Sequence, residues 1–490
     1  MKPALWLRIV LWVALLSVLA GCNPLPSKPV PATPLTLSGG TEIGDVGSLP
    51  VYRLSLALDP AKRRLEGRQA VTYSNHSGVE LSEIVFRLYP NLPQYGGQMS
   101  IGPVWVDGQR ATSLLRAENT SLVVPLPKPL APEASVTIST TFDIEIPQRD
   151  SGYVLFGHSQ GFWSLPDSYP LLAVYDGSRW HEDLAPAYGD AVFAEAAFYE
   201  VALTLPPDLI LATTGSVISD TQTSGNGRSD SEGQRVYQVV GGPLREFAWV
   251  ANASYLVSEA VAEGATVRAY YLPGDESAGQ AALSTAAAAL RAYGDEFGPY
   301  PFDEMDVAES PLLFYGMEFP GLNLIGEALY RDQRSELEDR IAHEIAHQWW
   351  YSQVGNDQIN IPWLDEGLAE YSMVVYYRAV YGEARANRLV NQRWLVPYQV
   401  AVENGLDAVV NQPAAAFGQE YEVIVYGKAA LFFDALRHEL GDETFRAVLR
   451  EYLKRYQWRI ATPDGFLGVA ESVSGQDLDG LYNHWILSKQ

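Results

Sequence analysis

The residues best suited to chemistry lie in His343-Glu344-Ile345-Ala346-His347. The segment reads as helical, and residues four apart share one helical face, so both imidazoles can reach one metal ion. Glu344 follows His343 directly and points at the open side of that ion, where a carboxylate can take a proton from water. Eighteen residues separate His347 from Glu366, in Trp363-Leu-Asp-Glu-Gly-Leu-Ala-Glu-Tyr371. The loop between them, 351–362 with Gly355 and Pro362, lets a second helix run back beside the first. His343, His347 and Glu366 then make a two-histidine, one-glutamate set with a fourth position for water, the pattern of catalytic zinc. Glu366 alone would read equally well as a solvated helix start; the joint spacing selects it. Its neighbour Asp365 reads either as a group orienting the metal site or as a helix N-cap.

Two kinds of chain must position these groups. From Val51 to about Ser258 the text is strand-like. Val51–Leu58 and Ser135–Ile146 alternate apolar and polar residues, and turn signals recur at Asn75-His-Ser-Gly78, Asp107-Gly108, Pro206-Pro207-Asp208 and Gly225-Asn226-Gly227. The spacing predicts an all-β, sandwich-like N-terminal domain over 51–258. After a further strand at Val267–Leu272, helical text takes over: Ala278–Phe297, then 335–352, 365–380, 384–405, 426–440, 442–456 and a last stretch from Thr462 to about Trp485. The second domain, 259–490, is therefore mainly helical.

At this point the residues resemble a known family. H-E-x-x-H, eighteen residues and then Glu is similar to the gluzincin zinc metallopeptidases of the aminopeptidase N and leukotriene hydrolase family. His347-Gln-Trp-Trp350, Gly316-Met-Glu-Phe-Pro320, Val425-Tyr-Gly-Lys428, Ala197–Pro206 and Arg245-Glu-Phe-Ala-Trp249 resemble further landmarks of that family. The resemblance covers about 51–490 and is most specific from 298 to 430. It implies a thermolysin-like catalytic domain and one Zn2+ held by His343, His347 and Glu366. Glu344 resembles the general base, and Tyr426 the phenol that stabilises the oxyanion. Glu318 resembles the carboxylate that takes the substrate's free α-amino group, with Gly316 and Met317 beside it on the substrate strand. The family also uses a second acceptor from the β domain near that amine; the loop Trp180-His-Glu-Asp-Leu184 is the place expected for it. Two departures stand out. Phe319 occupies the position of a family asparagine. The chain ends 64 residues after Tyr426, which implies a short form without the family's helical C-terminal domain and a more open site.

Composition bounds the rest. The 490 residues carry a net charge of −25, which argues against a general nucleic-acid binder. The single cysteine excludes an intramolecular disulfide and any zinc site built on several thiolates. That cysteine, Cys22, ends Leu19-Ala20-Gly21-Cys22 after a basic start (Lys2, Arg8) and a twelve-residue apolar run, Ile9–Ala20. The pattern resembles the lipobox of bacterial lipoproteins. It implies a signal peptide over 1–21, lipidation of Cys22 and attachment to a lipid bilayer, at the outer cell surface or the periplasmic face of a bacterial membrane; an ordinary signal peptide with an incidental cysteine is the plainer reading. Residues 22–50, rich in proline and glycine, read as a tether.

The expected activity is removal of N-terminal residues from peptides that carry a free amino group. The alternatives are an open-site zinc endopeptidase or oligopeptidase, and a surface lipoprotein that binds peptides without cleaving them. Tyr421, five residues before Tyr426, reads as a cleft residue or plain packing. His76, His158, His181, His438 and His484 lack partners at metal spacing, and His438 fits a helix C-terminus.

Overall fold

In the computed structural model the N-terminal alternation becomes an eight-stranded sheet. Its spatial order is Ser216–Thr223, Gln234–Leu244, Ala197–Leu205, Val51–Asp59, Arg64–Ser74, Ser135–Glu145, Gln98–Val106 and Gln109–Ala111. The structure describes residues 49–149, 154–223 and 233–490; the leader, Cys22, most of the tether and the Gly225–Gly227 turn lie outside them. Val51–Asp59 buries Tyr52, Leu54, Leu56 and Leu58 and turns the intervening residues outward, as a period of two requires. It pairs antiparallel with Arg64–Ser74 and parallel with Ala197–Leu205. Two four-stranded sheets complete this all-β region. One of them contains Trp249–Asn252, and the residues just before that strand reach the helical second part.

The second part is built on a five-stranded mixed sheet, ordered Leu256–Ala262, Ala265–Tyr271, Glu304–Ser310, Leu322–Gly326 and Gly316–Phe319. Leu256–Ala262 pairs with Ala265–Tyr271. The sheet therefore starts ahead of residue 259, and a cut between 258 and 259 would divide a strand. Ala265–Tyr271 and Glu304–Ser310 are parallel, joined by the helix Glu276–Phe297. Ala282, Ala286 and Ala289 of that helix are fully buried. The last strand, Gly316–Phe319, is hydrogen-bonded on one side only, to Leu322–Gly326. Its free edge faces a cleft.

Helices close the other side of that cleft. Leu337–Ala346 carries the first motif and Trp363–Tyr381 the second. The run expected over 384–405 is three turns of different pitch: Glu383–Leu389, a wider π-helical turn at Val390–Leu395, and Val396–Glu403. A second π-helical turn, Val423–Lys428, leads into Ala429–Leu440. Asp442–Tyr456, Pro463–Ser474 and Asp479–Trp485 finish the chain. Among the described residues no helix is long and apolar enough to cross a membrane.

The two parts share one apolar core. Arg245, buried at the junction, staples them together. Its guanidinium donates to the carbonyls of Ala194 (3.2 Å), Gln353 (3.0 Å), Arg459 (2.8 Å) and Tyr351. The loop that follows His347 is thereby fixed from the β side.

Candidate metal centre and active site

Leu337–Ala346 places acidic Glu338 and Asp339 in its first turn, where the helix dipole favours them, and buries Ile341, Ala342, Ile345 and Ala346. The same packing buries His343, Glu344 and His347. Glu366, in the first turn of Trp363–Tyr381, comes back to meet them. His343 Nε2 lies 3.1 Å from Glu366 Oε2 and 3.2 Å from His347 Nε2, and His347 Nε2 lies 3.4 Å from the same Glu366 oxygen.

His347 Nδ1 lies 2.9 Å from the carbonyl of Trp350, an acceptor, so this Nδ1 carries the proton and Nε2 presents a lone pair. His343 Nδ1 lies 3.0 Å from Glu370 Oε2, an ion-pair contact without hydrogen-bond geometry. Two imidazole Nε2 atoms and a carboxylate oxygen thus converge, an arrangement that suits a cation between them. Zinc bonds of 2.0–2.2 Å in a tetrahedron put neighbouring ligand atoms about 3.3–3.6 Å apart. The observed triangle of 3.1, 3.2 and 3.4 Å is close to that spacing and slightly tighter. The local field agrees. Burial would lower both imidazoles, but Glu366 and Glu370 around His343, and Glu318 and Glu366 around His347, outweigh it and raise them.

Glu370 was not singled out from the sequence, although it stands four residues after Glu366 on the same helical face. It is buried, accepts Trp394 Nε1 at 2.7 Å and pairs with Arg393. Burial would raise its carboxyl; Arg393 and His343 overcome this and hold it well below the usual range. The π-helical turn at Val390–Leu395 delivers both Arg393 and Trp394 to it.

A cleft of about 920 Å³ opens over this centre. Glu344 lies on its wall, with a carboxylate oxygen within 4.8 Å of ring nitrogens of both His343 and His347. Gly316, on the edge strand, passes directly beside it. A Cβ at residue 316 would stand 2.2 Å from Glu344 Oε1, so glycine leaves the carboxylate its place. Tyr426 sits on the second π-helical turn and donates to Glu366 Oε1 at 2.5 Å. Burial, then Glu366, raises its phenol well above 10, so it keeps its proton and acts as a donor. The turn is anchored by buried Lys428, which binds Asp407 Oδ1 (2.8 Å) and the carbonyls of Ala408 (2.9 Å) and Ser488 (2.8 Å). Tyr421 lines the cleft too, its ring 6.2 Å from that of Tyr426.

At one end of the cleft carboxyls gather. Glu318 and Asp190 line it, and Asp365 lies just behind. Gln358 bridges Glu318 Oε1 (3.2 Å) and Asp365 Oδ2 (2.8 Å), and Asn356 binds Asp365 Oδ1 (2.9 Å). Asp365 is therefore not the helix cap, a position taken by Pro362, but the support that sets Glu318 through Gln358. Asp190 Oδ2 is buried with no hydrogen-bond partner among the described residues. Its carboxyl is raised by burial and then by Glu318, Glu366 and Asp365. Glu318 is raised by burial, with His347 opposing and Glu344 adding. No lysine or arginine pairs with Glu318, Asp190 or Asp365 among the described residues; the basic group near them is His347, one of the metal-facing imidazoles.

Asp190 belongs to the β region and stands where a second amine acceptor was expected, but not in the expected segment. Trp180–Leu184 points elsewhere: His181 pairs with Asp176 (3.0 Å) and Asp183 (3.3 Å), and Glu182 with Arg116 (3.0 Å). The cleft takes Ala187–Asp190 instead. Met317 lines the cleft beside Glu318. Phe319 is buried in the core, and its carbonyl accepts Gln348 Nε2 at 3.0 Å. His438 Nδ1 bonds the carbonyl of Asp434 at 2.7 Å in the last turn of its helix, away from the cleft.

With this geometry in hand, comparison with known proteins is informative. Residues 281–485 match the peptidase family M1 domain. The matched segment thus holds every metal-facing residue described above. Curated relatives include the alanine/arginine aminopeptidase of Saccharomyces cerevisiae, 30% identical over 243 residues (45% of this chain, 27% of that protein). Aminopeptidase M1-C of Oryza sativa subsp. japonica is 26% identical over 282 residues (51% and 31%). The chain spans about a third of the length of such relatives. An M1 zinc metallopeptidase from Deinococcus radiodurans has the same fold over most of both chains, with a TM-score of 0.65, 21% identity and coverage of 90% of this chain and 94% of that one. A mutant of that metallopeptidase, solved with the substrate Tyr-Ser-Ala bound, gives a TM-score of 0.64 at 19% identity, covering 90% of this chain and 94% of that chain. An N-terminal β region followed by a mainly helical region, the fold of that metallopeptidase, is therefore the fold of this chain.

Proposed function

We propose that this protein is a zinc aminopeptidase that removes N-terminal residues from peptides with a free amino group. The observation that carries the reading is the buried cluster of Glu318 and Asp190 beside the metal triangle, unpaired by any lysine or arginine of the described cleft. Buried carboxyls in this state are costly unless a cation completes them. A substrate's α-ammonium does so, and it marks a chain end. Such anchoring separates an aminopeptidase from the open-site endopeptidase, and an intact Glu344 and Tyr426 weigh against a protein that merely binds.

His343, His347 and Glu366 hold the zinc, which supplies Lewis acidity toward water and the scissile carbonyl when bound. Glu344 takes the proton of the attacking water and passes it to the departing amine. Tyr426 donates its phenolic proton to the oxygen that gains negative charge. Glu370 and the Trp350 carbonyl keep the two imidazoles in register. The free edge of Gly316–Phe319 offers unpaired backbone groups along which an extended peptide can lie. The bound tripeptide of the Deinococcus radiodurans neighbour is consistent with a peptide in this cleft.

The leader supports export and anchoring through acylated Cys22, with zinc chemistry exposed at a cell surface. The test of the activity is a pair of peptides, one with a free and one with an acetylated N-terminus, given to the zinc-loaded protein. Stepwise cleavage of the free peptide alone is expected. Equal cleavage of both would replace the proposal with the endopeptidase.

A further inference from the structure

We infer that Arg340 is the receptor for a peptide's terminal carboxylate and makes the cleft selective for dipeptides. The inference rests on the aminopeptidase reading and adds a substrate class to it. Two arginines line the cleft among the described residues, and they differ. Arg393 is committed to Glu370, with Asp339 at 3.9 Å. Arg340 makes no hydrogen bond among the described residues. Its guanidinium lies over the Tyr315 ring, 4.9 Å from the centroid, and its Nη1 stands 3.6 Å from Glu344 Oε1, beyond hydrogen-bond reach. Its side chain is only 13% exposed, so its donors are held at the cleft wall in an ion pair with Glu344 but with no hydrogen-bond acceptor among the described residues.

The position relative to Glu344 defines what the donors meet. Glu344 must come within about 3 Å of the leaving nitrogen. In the product-side residue that nitrogen is followed by Cα at about 1.46 Å and the carbonyl carbon at about 1.52 Å beyond. The oxygens on that carbon therefore fall about 3 Å from the leaving nitrogen. An N–H group 3.6 Å from Glu344 can reach them while Glu344 holds the nitrogen. In a dipeptide these oxygens are a carboxylate, which the guanidinium fork binds through two charge-assisted bonds. In a longer peptide the same place holds one neutral carbonyl. Glu318 and Asp190 take the ammonium at the other end of the same short span. The cleft thus carries acids for the ammonium and, beside the general base Glu344, an arginine for the carboxylate.

The experiment compares one dipeptide as the free acid, the same dipeptide as its C-terminal amide, and an aminoacyl arylamide with the same first residue. The wild-type protein is expected to cleave all three, with kcat/KM for the acid about 10–100-fold above the amide. Arg340→Gln is expected to bring the acid-to-amide ratio near one, and Arg340→Lys to leave an intermediate ratio. The ratio cancels any effect of the substitution on Glu344, which acts on both substrates alike. Equal wild-type rates on acid and amide, or a preference that survives in Arg340→Gln, would overturn the inference. Arylamide cleavage with no acid preference refutes Arg340 alone and leaves the aminopeptidase standing, whereas failure on all three substrates overturns both.

Discussion

Replacing Gly316 by alanine tests how the edge strand and the general base fit together. The added Cβ would stand 2.2 Å from Glu344 Oε1, 2.6 Å from its Cδ and 2.8 Å from its Cγ. Ordinary non-bonded contact requires more than about 3 Å, so the carboxyl must move by about 1 Å. A displacement of about 1 Å of a reacting group can cost on the order of 100-fold in rate, equivalent to about 2.7 kcal/mol of activation free energy. The fold should not suffer. The clashing atoms end a flexible side chain, residue 316 has no left-handed backbone, and alanine lowers the entropy of the unfolded chain, worth about 0.4–1 kcal/mol. The assay is kcat on an aminoacyl arylamide for both proteins at equal zinc content, with thermal melts alongside. A kcat within about threefold of wild type at equal zinc would refute the claim that Gly316 makes room for the base.

Other consequences can be measured in the same way. Tyr426→Phe removes the donor to the developing oxyanion and should lower kcat by about 10²–10³-fold while zinc content stays at one per chain. Glu370→Gln loses the charge behind His343 and should weaken zinc retention by about 10–100-fold against a chelator, read as metal released at fixed chelator concentration. Asp306 is buried, and burial pushes its carboxyl from 3.8 up to about 7 against the pull of Arg268, 3.8 Å away. A carboxyl whose pKa is raised on folding stabilises the protein while protonated, and that contribution fades as pH climbs from about 4 to about 7. Asp306→Asn should therefore gain melting temperature relative to wild type across that window, and a constant difference would count against the raised value.

The parts legible in sequence were those written as local spacing. H-E-x-x-H and Glu366 could be assembled because helical geometry converts spacing into direction, and their nitrogens and oxygen do converge. Alternation in Val51–Asp59 and Ser135–Glu145 revealed strands with one buried face. Glu304–Ser310 and Leu322–Gly326 went unread because nearly every residue in them is buried, which erases the alternation. Asp190 carries no local mark at all: it follows Gly189 in an irregular stretch and gains meaning only when the β region closes over Glu318. Glu370 was within reach of the same periodicity that gave Glu366. What hid it was its partner, since Arg393 and Trp394 arrive through a π-helical turn that no apolar pattern announces. Arg340 sits three residues before His343, and only the lack of a hydrogen-bond partner among the described residues, beyond its ion pair with Glu344, sets it apart from the other charges of its helix.

The measurement that bears most directly on the account is Glu344→Gln with metal analysis. Glutamine keeps the shape beside Gly316 and touches none of the three metal-holding atoms, but it cannot accept the proton of water. The account predicts one zinc per chain, an unchanged melt and peptide hydrolysis reduced by about 10³-fold or more. Hydrolysis that persists near the wild-type rate at full zinc occupancy would contradict it.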